Sequence, residues 1–148
     1  MTTRRPLRDL YLELNERFWG GRLPRPLRVN EWLDIAIVDL PRFVTVRRVA
    51  IREGMRGPGP HHATGRFIHS RTAWPARIVV LSWRLIGTEQ ERRTLIHEMV
   101  HAELWFAGVR EKDHGPRFVA ALESLAAYGE EWVLEAVERY RVGKEDAR

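Results

Sequence analysis

The chain of 148 residues contains no cysteine, and lysine occurs at only two positions. The absence of cysteine excludes disulfide bonds, thiolate metal sites and cysteine nucleophiles, and it agrees with a reducing compartment. No apolar run approaches the roughly 20 residues that a membrane-spanning helix needs. The basic segment 1–9 leads into an amphipathic pattern rather than into the apolar core of a signal peptide. We therefore expect a cytoplasmic protein without a membrane segment.

Basic side chains are concentrated in the first part of the chain, and nearly all of them are arginine. Residues 1–86 hold 16 basic and 7 acidic side chains (16 − 7 = +9), whereas residues 87–148 hold 9 and 13 (9 − 13 = −4). Arginines interleaved with aromatic rings could bind the phosphates of DNA and stack on exposed bases. A solvated surface that serves only solubility explains the same pattern, so both interpretations stay open. The side chains concerned are Arg47, Arg48, Arg52, Arg56, Arg66, Arg71, Arg77, Phe43, Phe67 and Trp74.

The overall composition is that of an ordinary globular protein. With 44% hydrophobic and 30% charged residues, a chain of this length can bury one core. We predict a single domain over residues 1–148, with residues 141–148 as a frayed tail. The glycine- and proline-rich segment 52–63 predicts a mobile loop, and we interpret its His61 and His62 as a solvated hairpin tip rather than a metal site.

Hydrophobic periodicity predicts an α+β fold. An amphipathic helix begins at Leu7 and ends at Gly20-Gly21. The predicted strands form a small, mainly antiparallel sheet and cover residues 27–32, 35–38, 44–51, 65–68 and 78–82. The last of these is expected to be an exposed edge to which an extended peptide could add as a further strand. The predicted helices that follow cover residues 88–107, 116–128 and 130–140.

Residues 97–101 read His-Glu-Met-Val-His, and this pattern carries most of the chemistry. On a helix, residues four apart share one face, so His97 and His101 can hold one zinc ion. Thr88 and Glu91 form a capping box upstream, and Gly108 is a natural C-terminal stop. Glu98 is turned about 100° from His97. It would therefore lie beside the metal, where a general base is needed.

A catalytic zinc site needs a third protein ligand and an open fourth position. His114 is the first candidate, because it follows the helix end in a short loop before Gly115 and Pro116. We expect Gly115 to permit unusual backbone angles and Pro116 to begin the next helix, which would fix His114 at a tight corner. The alternatives are Glu123, on the predicted next helix, and Asp113.

Three stretches resemble one family. They are LIHEMVHAELWFAGVREKDHGPRF at 95–118, LYLELNERFWGGRLPRPLRVNEW at 10–32, and GRF at 65–67 followed by RIVVLS at 77–82. They are similar to the SprT-like metalloproteases, the family that includes the DNA–protein crosslink protease Spartan. The resemblance implies a compact zincin-like domain. It implies zinc at His97, His101 and His114, with Glu98 as the catalytic base. Many relatives add a cysteine zinc ribbon, which a chain without cysteine cannot form.

The sequence and the resemblance together predict a zinc-dependent endopeptidase of low sequence specificity, acting on unfolded, DNA-associated or DNA-crosslinked protein. Two alternatives stay open. One is a zinc peptidase that is indifferent to DNA, and the other is a non-catalytic, zinc-stabilised DNA-binding module. The expected partners are a protein or peptide substrate and, through the arginine-rich part, DNA. The sequence indicates no particular oligomeric state.

Overall fold

A computed structural model of the protein describes residues 5–49, 65–69, 74–81 and 88–146. The predicted loop 52–63 lies outside the described residues, as do Arg52, Arg56 and Arg71. None of the helices in the described ranges has both the length and the apolar character that crossing a membrane requires. The elements are α1 (Leu7–Trp19), β1 (Val44–Val49), β2 (Gly65–Ile68), β3 (Ala76–Leu81), α2 (Glu89–Phe106), α3 (Pro116–Ser124) and α4 (Trp132–Asp146).

The fold is α+β, as predicted, with an N-terminal helix, a three-stranded sheet and several C-terminal helices. The chain divides into two compact units, Met1–Ala102 and Glu103–Arg148. The first unit contains α1, the sheet and most of α2, and the second contains α3 and α4. The single domain predicted over residues 1–148 stays a prediction.

Helix α1 and the segment that follows it are joined by buried polar contacts. The helix ends at Gly20, which adopts the left-handed conformation with φ 59°. The side chain of Asn15 donates to the carbonyl of Leu23 and accepts from its N–H, both at 3.1 Å. The hydroxyl of Tyr11 donates to the carbonyl of Pro24 at 2.7 Å, and burial raises the pKa of Tyr11. These bonds hold the returning chain against α1.

The sheet has the strand order β1-β3-β2. Strand β3 pairs in parallel with β1 and antiparallel with β2, so the sheet is mixed rather than mainly antiparallel. The prediction that residues 78–82 form an exposed edge is wrong, because β3 has partners on both sides. Its nearly continuous apolar sequence, Ile78 to Leu81, is typical of a central strand. Within the described residues, the sheet edges are β1 and β2.

The strand register separates the side chains into two faces. Directly opposed residues share a face, and this face alternates along each strand. The inner face contains the buried residues Val44, Ala76, Ile78 and Val80. The outer face carries one exposed arginine on each strand, namely Arg47, Arg66 and Arg77.

The prediction of strands at 27–32 and 35–38 is wrong. This part of the chain forms two 3-10 turns, Val29–Asp34 and Ile37–Arg42. The carboxylate of Glu31 accepts a hydrogen bond from the Arg28 N–H at 3.1 Å, which stabilises the first turn. Pro41 lies in the second turn and has no N–H to donate to a strand ladder. In the second predicted strand Ile37 and Val38 are exposed, whereas Leu27 in the first is buried.

In the second unit, α3 packs against α4. Helix α3 begins at Pro116 as predicted, and its continuation tightens to a 3-10 turn at Leu125–Tyr128. The residues predicted to point inward, Phe118, Leu122 and Leu125, are buried, which confirms the helical pattern.

Helix α4 was predicted to end at Tyr140, and this is wrong. It continues to Asp146, so residues 141–146, predicted as a frayed tail, are helical. No proline interrupts this stretch, and Arg141 donates to the carboxylate of Glu123 on α3 at 2.6 Å.

Candidate metal centre

Helix α2 carries the His-Glu-x-x-His motif, and hydrogen bonds define both of its ends. At its start, Oγ1 of Thr88 accepts from the N–H of Glu91 at 3.3 Å, which is the threonine half of the predicted capping box. At its end, Gly108 has φ 82°. The N–H of Val109 donates to the carbonyl of Leu104 at 2.9 Å, as in a Schellman motif. The predicted helix is confirmed to within one residue at each end.

His97 and His101 present their rings from the same side of α2. Their Nε2 atoms lie 3.2 Å apart and their ring centroids 4.9 Å apart. Both rings are partly exposed. Two nitrogens bound to one tetrahedral zinc ion, each at roughly 2.0–2.1 Å, are about 3.3 Å apart. The spacing of this pair therefore fits zinc.

Glu98 lies on the side of α2 that faces the sheet, and its side chain is buried. It belongs to a polar stripe with Glu91 and Thr94, whose members are three and four residues apart and lie on one helix face. These three side chains are only 5%, 1% and 6% exposed, respectively. A buried carboxylate next in sequence to His97 on the same helix is a candidate proton acceptor.

One row of residues across the sheet contacts this polar stripe. Arg48, on β1, donates two hydrogen bonds to the carboxylate of Glu91, at 2.8 and 2.7 Å. Gly65, on β2, lies so close to α2 that a Cβ atom there would be 2.7 Å from Cγ2 of Thr94 and 3.2 Å from Oε1 of Glu98. Arg48 and Gly65 both oppose Val80 in the register. The sheet thus contacts the helix at Glu98 itself.

His114 lies in the loop before α3 and has φ 54°, the left-handed region. Among the described residues it is the one non-glycine with positive φ. Such a conformation is uncommon for a residue with a Cβ and is often associated with functional sites. The sequence-based expectation that Gly115 supplies the unusual backbone angles is therefore wrong, because Gly115 has an ordinary extended conformation with φ −70°.

Gly115 is required for space rather than for its backbone angles. A Cβ atom there would lie 2.7 Å from Oε1 of Glu111. That oxygen accepts hydrogen bonds from the N–H groups of Arg117 and Phe118, at 2.9 and 3.1 Å. Glu111 thus caps the N-terminus of α3 and fastens the loop that carries His114.

The structure groups the three histidines that the sequence suggested. One ring nitrogen of each of His97, His101 and His114 lies within 4.8 Å of the others. Three imidazoles without a carboxylate favour zinc or a similar transition metal over calcium or magnesium, which prefer oxygen ligands. Three histidines are also a common ligand set in catalytic zinc sites. The residues present therefore fit zinc.

Neither alternative third ligand belongs to this group. Glu123 lies on α3, where its carboxylate accepts a hydrogen bond from Arg141 at 2.6 Å. The Asp113 side chain is largely exposed, with one oxygen 3.7 Å from Nδ1 of His114. The geometry thus favours His114 over Glu123 and Asp113.

Several residues around the site were missed by reasoning from the sequence. Gly65 was noted only as part of a strand and of the GRF stretch, although an isolated glycine at a strand end can indicate close approach of another backbone or side chain. Glu111 caps a helix from five residues before its start, a distance at which the usual capping pattern gives no signal. The ring of Tyr140 stacks on the imidazole of His114 with centroids 4.3 Å apart. Tyr140 continues the buried positions Val133, Ala136 and Val137 of α4 at helical spacing, and nothing in that spacing singles it out.

Comparison with known proteins supports the resemblance. The model of the SprT-like family matches residues 61–137, just over half of the 148 residues. The chain belongs to the SprT-like family. Comparisons with curated proteins and with solved structures found no significant match. The matched range includes the motif on α2 and His114, whereas the similarity at 10–32 lies outside it and stays a prediction. Membership of this family indicates a metalloprotease-type function.

Proposed function

We propose that the protein is a zinc-dependent endopeptidase of low sequence specificity. His97, His101 and His114 hold the metal, and Glu98 is the general base. The observation that carries this proposal is the 3.2 Å spacing of the two Nε2 atoms on α2. It is supported by His114, which completes the histidine group. A purely structural zinc site usually closes its fourth position with a protein ligand. A buried carboxylate next to the ligands instead favours catalysis.

The chemistry follows from the donor set and from Glu98. A zinc ion held by these imidazoles supplies Lewis acidity at the peptide carbonyl. Glu98 accepts a proton from the attacking water as the water oxygen bonds to the carbonyl carbon. It then delivers that proton to the nitrogen as the C–N bond breaks. Because Gly65 has no side chain, the start of β2 can lie close to the carboxylate of Glu98.

Strand β2 replaces the central β3 as the proposed binding edge for substrate. It is an edge strand in the described sheet, and its first residue, Gly65, is in contact range of Glu98. An extended peptide that adds to β2 is held through its backbone, which imposes little sequence preference. This arrangement supports a peptidase that selects exposed, unfolded segments.

The test compares wild-type protein with Glu98→Gln and with Glu89→Gln as the matched control. Glu89 lies on the same helix but is exposed in its first turn. We expect one equivalent of zinc in all three proteins. Casein cleavage should fall by about 100-fold or more in Glu98→Gln, because loss of a general base typically costs 10²–10⁴-fold. Cleavage by Glu89→Gln should match wild type.

Other outcomes of this test have clear meanings. If Glu98→Gln binds zinc and still cleaves casein at the wild-type rate, Glu98 is not the general base. Zinc without cleavage in the wild type would favour the non-catalytic, zinc-stabilised module. Absence of zinc from the purified and zinc-reconstituted protein would contradict the proposal as a whole.

DNA-associated protein is the proposed substrate class, and the outer face of the sheet supports it. Arg47, Arg66 and Arg77 lie on this face, one on each strand, and all three are exposed. Arg48 is not available for DNA, because its guanidinium is bound to the buried Glu91. Arginines spaced across a sheet can contact several phosphates of one strand. Stimulation of casein cleavage by single-stranded DNA would support this substrate class, whereas cleavage independent of DNA would leave a general zinc peptidase.

A further inference from the structure

His114 is enclosed by two aromatic rings of the second unit. The ring of Tyr140, on α4, stacks on the imidazole with centroids 4.3 Å apart and planes 23° apart. The ring of Phe118, on α3, meets it edge-on at 4.8 Å. Phe118 is fully buried in α3, whereas Tyr140 is partly exposed. The imidazole therefore has aromatic contacts from two different helices.

Tyr140 reaches His114 because it lies on the inner face of α4. Val133, Ala136 and Val137 are the buried residues of this helix, and Tyr140 continues the same stripe at helical spacing. The position of the Tyr140 ring is thus fixed by the packing of α4. Offset-stacked aromatic pairs contribute beyond their buried area and restrict the orientation of both rings.

A ligand on a loop has particular need of such a restriction. His97 and His101 are oriented by α2, whereas His114 lies on a loop with a left-handed backbone. The neighbours that orient a metal-binding histidine affect metal affinity strongly, and their loss typically costs 10- to 100-fold. A ring stacked on the imidazole limits its rotation and so keeps a nitrogen directed toward the other ligands.

We propose that Tyr140 is a positioning residue for the third metal ligand and that the end of α4 is therefore part of the metal centre. This proposal rests on the zinc site of the proposed function. The family match ends at residue 137, so Tyr140 lies beyond the segment for which family membership was established.

The test measures zinc affinity by competition with a chromophoric chelator for wild type, Tyr140→Phe, Tyr140→Leu and Tyr128→Leu. Tyr128 is an exposed tyrosine of the same unit and serves as the matched control. We expect Tyr140→Leu to weaken zinc binding about 10-fold and to alter the absorption spectrum of the cobalt-substituted protein. Tyr140→Phe keeps the ring and should therefore have the zinc affinity and the cobalt spectrum of the wild type. Thermal unfolding in EDTA should show that the metal-free variants are folded.

The outcomes separate this proposal from the peptidase proposal. Equal zinc affinity and cobalt spectra in wild type and Tyr140→Leu would overturn the role of Tyr140 while leaving the zinc site intact. Weaker binding in Tyr140→Phe as well would show that the hydroxyl, rather than stacking, is responsible, and would also overturn it. If Tyr140→Leu does not fold, Tyr140→Met, which fills the space with a flexible chain, takes its place. A wild-type protein that binds no zinc would overturn both proposals.

Discussion

At the scale of single residues, Gly65 illustrates how the absence of a side chain can allow close packing against the proposed general base, Glu98. A Cβ atom there would approach Cγ2 of Thr94 to 2.7 Å and Cγ of Glu98 to 3.1 Å. Cβ contacts below about 3 Å require a shift of one partner, and overpacking of this kind typically costs 1–3 kcal/mol. The hydrogen atom of Gly65 therefore allows β2 and the buried carboxylate to lie side by side.

We expect Gly65→Ala to lower kcat for peptide cleavage by about 10- to 100-fold, because small displacements of a catalytic group have effects of this size. Zinc content should not change, since no ligand is touched. Steady-state kinetics on a fluorogenic peptide and zinc analysis check both statements.

Thr94→Ser provides a control for this substitution. It removes the Cγ2 atom of Thr94 and keeps its hydroxyl, so the double variant Gly65→Ala/Thr94→Ser relieves the closest clash. We expect the double variant to regain thermal stability but not kcat, because the contact with Glu98 remains. If the double variant has the kcat of the wild type, the loss of kcat in Gly65→Ala did not come from a displacement of Glu98.

At the scale of elements, the pairing of Arg48 with Glu91 joins β1 to α2. The carboxylate of Glu91 is 1% exposed, and the guanidinium makes two hydrogen bonds to it. Glu91 and Glu98 lie on one stripe of α2, and Arg48 and Gly65 lie in one row of the sheet. The ion pair therefore helps to fix α2 against the sheet in the position that places Gly65 next to Glu98. An isolated charge at either position would be costly, because each is partly or fully removed from water.

Loss of one partner of this pair should destabilise the fold more than loss of both. We expect Arg48→Met to lower the free energy of unfolding by about 3 kcal/mol, near the low end for a broken buried pair, since Arg48 keeps some solvent contact. The double variant Arg48→Met/Glu91→Met should recover most of this loss. Urea unfolding of the two single variants and the double variant gives the coupling energy. Additive losses would contradict a direct interaction.

At the scale of the whole molecule, the uneven charge of the chain is only partly available to a nucleic acid. The first 86 residues have a net charge of 16 − 7 = +9, but Arg48 belongs to a buried pair and Arg25 is bound to Glu31. Within the described residues, the outer face of the sheet brings together Arg47, Arg66 and Arg77. Three guanidinium groups on one face can contribute to phosphate binding together, whereas scattered charges are screened beyond a Debye length.

We expect replacement of all three arginines by glutamine to weaken binding of single-stranded DNA. If each contacts one phosphate, the slope of log K against log salt should fall by about 2, at roughly 0.7 for each lost contact. The control replaces Arg42, Arg117 and Arg139, which are exposed elsewhere, by glutamine and changes the net charge equally. Fluorescence anisotropy at several salt concentrations distinguishes the two triple variants. Equal effects would indicate a general charge effect rather than a binding face.

Local pattern was sufficient to predict the helices α1, α2 and α3. It also predicted each of the three strands of the sheet to within two residues at either end. Helical periodicity and end signals such as Thr88 and Gly108 act within a few residues of the chain, and so they can be read without a structure. The same local rules failed between α1 and β1, where two short apolar stretches were interpreted as strands, the second with Ile37 and Val38 exposed. Exposure depends on the rest of the fold, so composition alone could not distinguish these 3-10 turns from strands.

The sequence alone determined the chemistry of the candidate centre, because two imidazoles and a carboxylate at helical spacing are set by the geometry of one helix. It also suggested His114 as the third ligand. Only the tertiary structure decided which residues support these groups. The central place of β3, the pairing of Arg48 with Glu91, the closeness of Gly65 to Glu98 and the stacking of Tyr140 on His114 all join residues that are distant in the chain. Such contacts depend on strand order and helix packing, which no local pattern specifies.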